Sequence, residues 1–377
     1  MVYVFWCSAA FLFYAFAGYP LLVGVLALFR ARVHKRAAIF PTVSLIVAAH
    51  NEAAIVAKKI TNCLELDYPE DQREIIVASD GSTDATVEIA RSFAARGVKV
   101  IELPEKRGKH FAQMIARDAA KGEILVFTDA SVHLQPESLQ RIVANFADPK
   151  VGCVSSEDES AGEGGKWKGE RSYVQIEILL RRLESKIGSL VSASGSFFAV
   201  RRELCGDWHP HQSSDFFLVL HTVARGFRGV VDPACRAQVG IVSSEKAELR
   251  RKVRTIVHGL DVFFSHLQLV NPFRFGLFPW QLVSHKLFRW LVPFPILGLL
   301  ISNCFLWKAG TFYRVALILQ AGLYAAGLLA MLGGRVAKLK VIELAGYFLL
   351  GNVATLIAWL KFCTGERYAY WEPTRRG

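Results

Sequence analysis

An uncharged apolar stretch covers residues 2–29, enough for a bilayer-crossing helix of about 20 residues. From 41 to 235 the pattern changes to short β-branched runs alternating with amphipathic segments. Residues 43–49, 74–79, 98–102 and 123–128 read as strands, because each is a brief apolar run bounded by polar or turn residues. Residues 52–66, 84–96, 108–120 and 136–147 carry helical periodicity. Gly97 ends the second of these, and Pro136 opens the fourth. Strands alternating with helices predict βαβ units and a mainly parallel sheet flanked by helices.

Farther along, 157–170 is rich in Gly, Glu and Ser and reads as a flexible loop. Residues 173–187 predict an amphipathic helix, 194–200 a strand, 214–225 a helix, 229–232 a strand and 245–258 a basic helix. Residues 272–290 mix aromatic rings with Arg, Lys and His, which suits a segment lying at headgroup depth. Apolar stretches follow at 291–307, 312–332 and 341–363, which predict an α-helical transmembrane bundle. The expected organisation is an amino-terminal membrane anchor at 1–30, an α/β domain at 41–260, interfacial helices at 261–290, membrane helices at 291–365 and a tail at 366–377.

Composition sharpens this picture. Apolar residues make up 52% of the chain and charged residues 21%, and the apolar excess sits at the two ends. The formal net charge of +12 is explained largely by cations flanking apolar stretches: Arg30, Arg32, Lys35 and Arg36, then Arg335, Lys338 and Lys340. Such flanks face the cytoplasm and anionic membrane lipids. They place residues after 30 in the cytoplasm, with residues 2–29 retained as an anchor. Four spans would put the tail outside, whereas Arg367, Arg375 and Arg376 favour the inside. Either that charge rule is broken or one stretch is re-entrant. No nucleic-acid-binding motif is present, so no nucleic-acid partner is expected. The seven cysteines are scattered singly, without a CxxC pair, and read as reduced residues.

Ligands of open α/β sheets bind beyond the carboxyl ends of the strands. His50-Asn51-Glu52 follows the first strand, Asp80-Gly81-Ser82-Thr83-Asp84 the second and Asp129-Ala130-Ser131 the fourth. Helix capping accounts for Thr83 and Asp84. It accounts less well for Asp80 and Asp129. Carboxylates can face a diphosphate when a hard cation such as Mg2+ or Mn2+ lies between them. The pattern therefore asks for a nucleoside diphosphate with a metal. GxxxxGK[ST] is absent, as is GxGxxG after a strand.

The run PTVSLIVAAHNEAAIVAKKI, followed by EIIVASDGSTDAT and KRGKHFAQMIARDAAKGEILVFTDAS, resembles family 2 glycosyltransferases of the GT-A fold. The resemblance covers roughly 41–260. It is to the membrane-integrated branch that contains cellulose, hyaluronan and poly-N-acetylglucosamine synthases. It implies donor-binding roles for Glu52, Asp80 (on the nucleobase), Lys109 and Arg251. It places Asp129 and Ser131 at the metal motif, Asp215 as the general base, Arg254 on the leaving diphosphate and Gly195 in the acceptor segment. Trp208 is a candidate for stacking on an acceptor sugar, and equally for filling a gap near the membrane. His209 and His211 read as a polar loop, and His133 as a solvent-facing or packed residue.

This chain departs from the family pattern twice. DxD reads DAS, with the weak neutral ligand Ser131 in place of an aspartate, and QxxRW reads RxxRT, without the tryptophan of the processive synthases. A single-sugar transferase, or one making short additions, is then as well supported as a polymerase. The tail WEPTRR and the segment SHKLFRWLVP also look familial. The resemblance implies inverting transfer from a nucleotide-sugar, a UDP-sugar, to a glycan or lipid-linked acceptor at the cytoplasmic face of a bacterial inner membrane. Two other readings stand beside it. One is a catalytically degenerate scaffold with export or assembly partners, and the other is a polyprenyl- or dolichol-phosphate sugar transferase.

Overall fold

The computed structural model describes residues 1–160, 168–206, 208–239, 245–332 and 339–366. The strands are β1 (Val43–Ala49), β2 (Arg73–Asp80), β3 (Val98–Leu103), β4 (Ile124–Asp129), β5 (His133–Leu134), β6 (Val151–Ser160), β7 (Phe197–Arg201) and β8 (Arg228–Val239). They form one sheet in the order β3-β2-β1-β4-β7-β6-β8-β5. The expected parallel arrangement holds from β3 to β4. Beyond β4 the sheet is mixed: β7 runs antiparallel to both β4 and β6, while β6 and β8 are parallel.

Every position of β1 is buried. A strand covered on both faces explains why six of its seven residues are apolar, Ser44 being the exception. Leu45 and Val47 point into one core, against α3 (Val56–Leu64) and α6 (Ser138–Val143). Ile46 and Ala48 point into the other, against α5 (Lys109–Ala119) and α8 (Ser214–Ala224). Between these helices lies the short α4 (Thr86–Arg91), and α7 (Lys168–Ile187) precedes β7. The predicted loop at 157–170 is corrected in part. Its first residues, 157–160, belong to β6 and pair with β8, Glu157 opposite Arg236 and Glu159 opposite Gln238. Their polar side chains are held by ion pairs, Arg182 to Glu157 and Arg236 to Glu159. Hydrophobic alternation alone therefore missed this strand.

The amino-terminal stretch is helical from Val2 to Phe29 as α1 (Val2–Phe13), a wider turn at Tyr14–Gly18 and α2 (Tyr19–Phe29). After the domain come α9 (Glu245–Ser265), α10 (Pro272–Phe275), α11 (Phe278–Leu282) and α12 (Phe288–Leu291). The chain then continues as α13 (Pro293–Phe305), α14 (Thr311–Leu332) and α15 (Lys340–Cys363). Among the described residues three helices, Val2–Phe29, α14 and α15, are long and apolar enough to cross a membrane. Phe278–Leu291 and Pro293–Phe305 form a pair bent by 51°, which makes a fourth only if it is counted as one span. Pro293 lacks the amide that would continue the helix ladder, so the bend falls where the sequence removes a hydrogen bond. The tail motif WEPTRR lies outside the described residues.

Candidate active site

The strand tips converge as expected, but their side chains divide between building the rim and facing the cleft. Leaving β1, Asn51 takes a left-handed conformation with φ 54°, which asparagine tolerates better than most residues. Its amide donates to Ser82 Oγ at 3.1 Å, and its Oδ1 accepts from the Thr83 amide at 2.8 Å. The Glu52 amide donates to Thr86 Oγ1 at 2.8 Å, so Glu52 sits in the turn before α3 instead of opening a helix. Asp84 accepts from the amides of Ala53 at 3.1 Å and Thr86 at 3.0 Å. Burial pushes its carboxyl up, but these hydrogen bonds outweigh that and hold it below the usual carboxylate range. Asp84 is therefore a clasp between two turns, one residue ahead of the N-cap position Ala85 instead of in the first turn of α4.

Asp80 departs from expectation. It is 1% exposed. Its Oδ1 accepts from the amides of Arg107 at 2.7 Å and Gly108 at 3.0 Å, and its Oδ2 accepts from Gly108 at 2.8 Å. Both oxygens accept from the chain's own loop, so Asp80 shapes the pocket wall. Gly81, with φ 59°, lets that loop close over it: a β-carbon there would lie 2.4 Å from the Lys106 nitrogen.

The loop delivers Lys109, the first residue of α5, into the cleft. Its ammonium forms an ion pair with Asp129 Oδ1 and donates to the Gly195 carbonyl at 3.2 Å. Asp129 ends β4, and its amide donates to the Ser196 carbonyl at 3.1 Å. The turn behind it is held by a residue that pattern reading missed. Lys59 is buried, and its ammonium donates to Thr128 Oγ1 at 2.9 Å and to the Val132 carbonyl at 2.7 Å. Burial lowers its pKa, and nearby Cys63 and Asp129 offset part of that. The available signal was a lysine on the buried stripe of α3, beside Val56, Ile60 and Cys63.

Asp215 lies in the first turn of α8 and opens onto the same cleft. A β-carbon on Gly195 would stand 3.4 Å from Asp215 Oδ2, so the 194–196 segment passes directly over the carboxylate. Burial pushes the Asp215 carboxyl above its ordinary value, and Lys109 and Lys286 offset part of the effect. The start of α8 is anchored by His110, also missed from sequence. Its Nδ1 accepts from the Ser214 amide at 3.2 Å, and Ser214 Oγ donates to Gln113 Oε1 at 2.7 Å. Burial, then His258 and Lys109, push this imidazole well below its usual pKa.

Arg254, on α9, is within electrostatic reach of His110 and hence near the Lys109 end of α5. Arg251 forms a two-bond pair with Glu248 of its own helix, both at 2.7 Å. Trp208 is corrected: it is 2% exposed, packs against Phe127 and Phe217, and gives its Nε1–H to the His110 carbonyl at 2.9 Å. Of its two sequence readings, the gap-filling one holds, and no ring face is open to a sugar. His209 and His211 stack on each other, and His211 faces Asp261 at 3.2 Å, as a polar loop would.

Asp129 supplies one hard carboxylate at the rim, and Ser131, exposed two residues on, a neutral hydroxyl. Among the described residues no three His, Cys, Asp or Glu side chains gather as a metal cage. This donor set fits a cation such as Mg2+ or Mn2+ that shares its oxygen ligands with a bound diphosphate.

Residues 44–208 match the profile of glycosyl transferase family 2. The chain carries a family 2 glycosyltransferase domain. Over 184 residues it is 30% identical to a beta-monoglucosyldiacylglycerol synthase of Nostoc sp., covering 46% of this chain and 39% of that protein. Over 170 residues it is 28% identical to a poly-beta-1,6-N-acetyl-D-glucosamine synthase of Staphylococcus epidermidis, covering 44% of this chain and 40% of that one. The chain thus spans about two-fifths of the length of these relatives. Its fold is shared with the mannosyltransferase PcManGT of Pyrobaculum calidifontis, solved with GDP-Man and Mn2+. The TM-score is 0.73 at 23% identity, with 97% of this chain and all of that one covered.

Proposed function

We propose that this glycosyltransferase moves a sugar, with inversion, from a nucleoside-diphosphate sugar to a lipid-linked or glycan acceptor at the cytoplasmic membrane face. The observation that carries the reading is the meeting of Lys109, Asp129, Gly195 and Asp215 in one cleft, from four separate elements. Asp215, its carboxyl made more basic by burial, takes the proton of the attacking hydroxyl. Lys109, and Arg254 beside α5, stabilise the charge that develops on the departing diphosphate. Asp129, with Ser131, would hold Mg2+ or Mn2+, which supplies further neutralisation of that diphosphate when bound. Arg251 can join the donor by exchanging its Glu248 partner for a phosphate. Glu52 lines the first turn of the same pocket.

The mannosyltransferase of the same fold holds GDP-Man, so the donor panel should include GDP-sugars beside the UDP-sugars that the sequence resemblance implies. The relatives' names support a lipid or polysaccharide acceptor, and the apolar helices support a domain working beside a bilayer. The test is donor hydrolysis and product mass spectrometry with detergent-purified full chain, Mn2+, the donor panel and native membrane lipids. One donor should be turned over, and Arg254→Ala should bind its nucleoside diphosphate at least about tenfold more weakly. Absence of both binding and hydrolysis across the panel would instead make the chain a non-catalytic scaffold.

A further inference from the structure

Segment 193–196 leads into β7 and lies outside helix and strand, yet it touches three groups of the cleft. The Ala193 amide donates to the Asp215 carbonyl at 3.4 Å, and a β-carbon on Gly195 would lie 3.4 Å from Asp215 Oδ2. The Gly195 carbonyl accepts from the Lys109 ammonium at 3.2 Å, and the Ser196 carbonyl accepts from the Asp129 amide at 3.1 Å. The height of this segment over Asp215 decides how much room is left for a hydroxyl approaching the carboxylate.

Three side chains of β6 set that height. Ser155 Oγ accepts from the Ser194 amide at 2.8 Å, and Ser156 Oγ donates to the Phe197 carbonyl at 2.7 Å. Asp158 Oδ1 accepts from Ser194 Oγ at 2.5 Å, and the same Oγ accepts from the Ser196 amide at 3.3 Å. Neighbouring residues of a strand point to opposite faces, and here Glu157 meets Arg182 while Asp158 reaches Ser194. Ser194 is buried and Asp158 half-buried. An ionised carboxylate can only accept, so it claims the one hydroxyl proton of Ser194 and leaves a lone pair for the Ser196 amide. A hydrogen bond to a charged acceptor is also roughly twice as strong as a neutral one. The polar end of β6 thus holds Gly195 between Asp158 on one element and Asp215 on another.

We propose that Asp158 is a positioning residue that acts through Ser194, setting the Gly195 segment over Asp215 so that the reacting hydroxyl meets the base at the right distance. This rests on Asp215 being the base of the transfer reaction. It deepens that reading by assigning the hydrogen-bond relay that fixes the base's surroundings from a different strand.

The test uses the full chain in detergent with Mn2+ and a panel of UDP-glucose, UDP-N-acetylglucosamine and GDP-mannose. Release of nucleoside diphosphate gives kcat and donor KM. Asp158→Ala should lower kcat at least about tenfold, because small displacements of reacting groups are costly. Donor KM should stay within about twofold, as expected when transition-state contacts alone are lost. Ser194→Ala should do the same, and the double variant should be no slower than Ser194→Ala by more than about twofold, because the two residues act in series. Asp158→Asn keeps an accepting oxygen and should recover most of the rate. Glu159→Ala, next along the strand and paired with Arg236 instead, should leave kcat unchanged. Without any donor present, hydrogen exchange in the peptide covering 193–197 should be faster in Asp158→Ala than in the parent. Losses that multiply in the double variant, an Asp158→Ala enzyme at parental kcat, or unchanged exchange at 193–197 would each overturn the relay. A parent that turns over no donor would instead overturn Asp215 as the base, and the positioning role with it. That failure shows in the parent, whereas failure of the relay shows only in the variants.

Discussion

Lys109 and Asp129 are ion-paired across the mouth of the cleft, one from the first turn of α5 and the other from the last residue of β4. In the proposed reading the ammonium faces the donor diphosphate and the carboxylate faces the cation, within one contact. That reading leaves the cation a single carboxylate, which it shares with a lysine.

Adding a second carboxylate should strengthen the cation side. Ser131 is exposed and two residues beyond Asp129, so Ser131→Asp should raise Mn2+ affinity on the order of tenfold. Electron paramagnetic titration of Mn2+ in the presence of a nucleoside diphosphate reads this directly. An affinity that does not move would place the cation away from the 129–131 turn.

Asp215→Asn should abolish transfer, by at least about a hundredfold, while donor binding persists. In the parent, rate should rise with pH through a value above the ordinary carboxylate range, since the base must be ionised and its pKa is raised. The stability sign is the reverse. A carboxyl whose folded pKa lies above its unfolded value of about 3.9 stabilises fully only below that value, and the benefit is lost as pH rises through the folded pKa. The asparagine variant should therefore melt higher than the parent at neutral pH, with the gap closing in acid. Equal melting temperatures at both ends of the pH range would argue against the burial.

His110 has the opposite sign. Its folded pKa is depressed, so its contribution to stability is complete above the unfolded value of about 6.5 and falls as pH drops from there toward the folded pKa. His110→Asn offers an oxygen to the Ser214 amide and cannot titrate. Its melting temperature should be flatter than the parent's below about pH 6.5. Thermal melts across that range decide it, and parallel curves would remove His110 from the account.

Lys59→Met keeps the apolar stem but leaves Thr128 Oγ1 and the Val132 carbonyl without their donor. Leaving such buried groups unsatisfied costs about 1–3 kcal/mol. A lower melting temperature together with weaker Mn2+ binding is expected, since the same lysine braces the turn that carries Asp129. A variant that melts higher would mean that desolvating the ammonium outweighs its two bonds.

Much of this was legible in the residues. The apolar runs of β1, β2 and β4 are buried on both faces, and their tips carry the polar triplets that approach one another. What stayed hidden depends on partners far away in sequence. Asp80 could not be seen to spend both oxygens on Arg107 and Gly108, because hydrogen bonding across 27 residues leaves no periodic trace. Lys59 reads as an ordinary helix lysine until β4 is placed above it. Trp208 reads equally as a sugar-stacking ring and as a gap filler, and a ring of that size next to Phe127 is worth more inside. The polar end of β6 failed the alternation test because ion pairs, not apolar contacts, hold it.

The reversal of β7 against β4 has one more consequence. The chain enters β7 at the same edge where it leaves β4, so the Asp129 turn and the Gly195 segment are neighbours by construction. The opposite edge, where the Arg202 amide meets the Glu123 carbonyl at 2.9 Å, carries none of these groups. Insertions or fused domains at that far edge could accumulate over evolution without disturbing a reacting atom, which leaves one end of the molecule free to diversify while the other is held fixed.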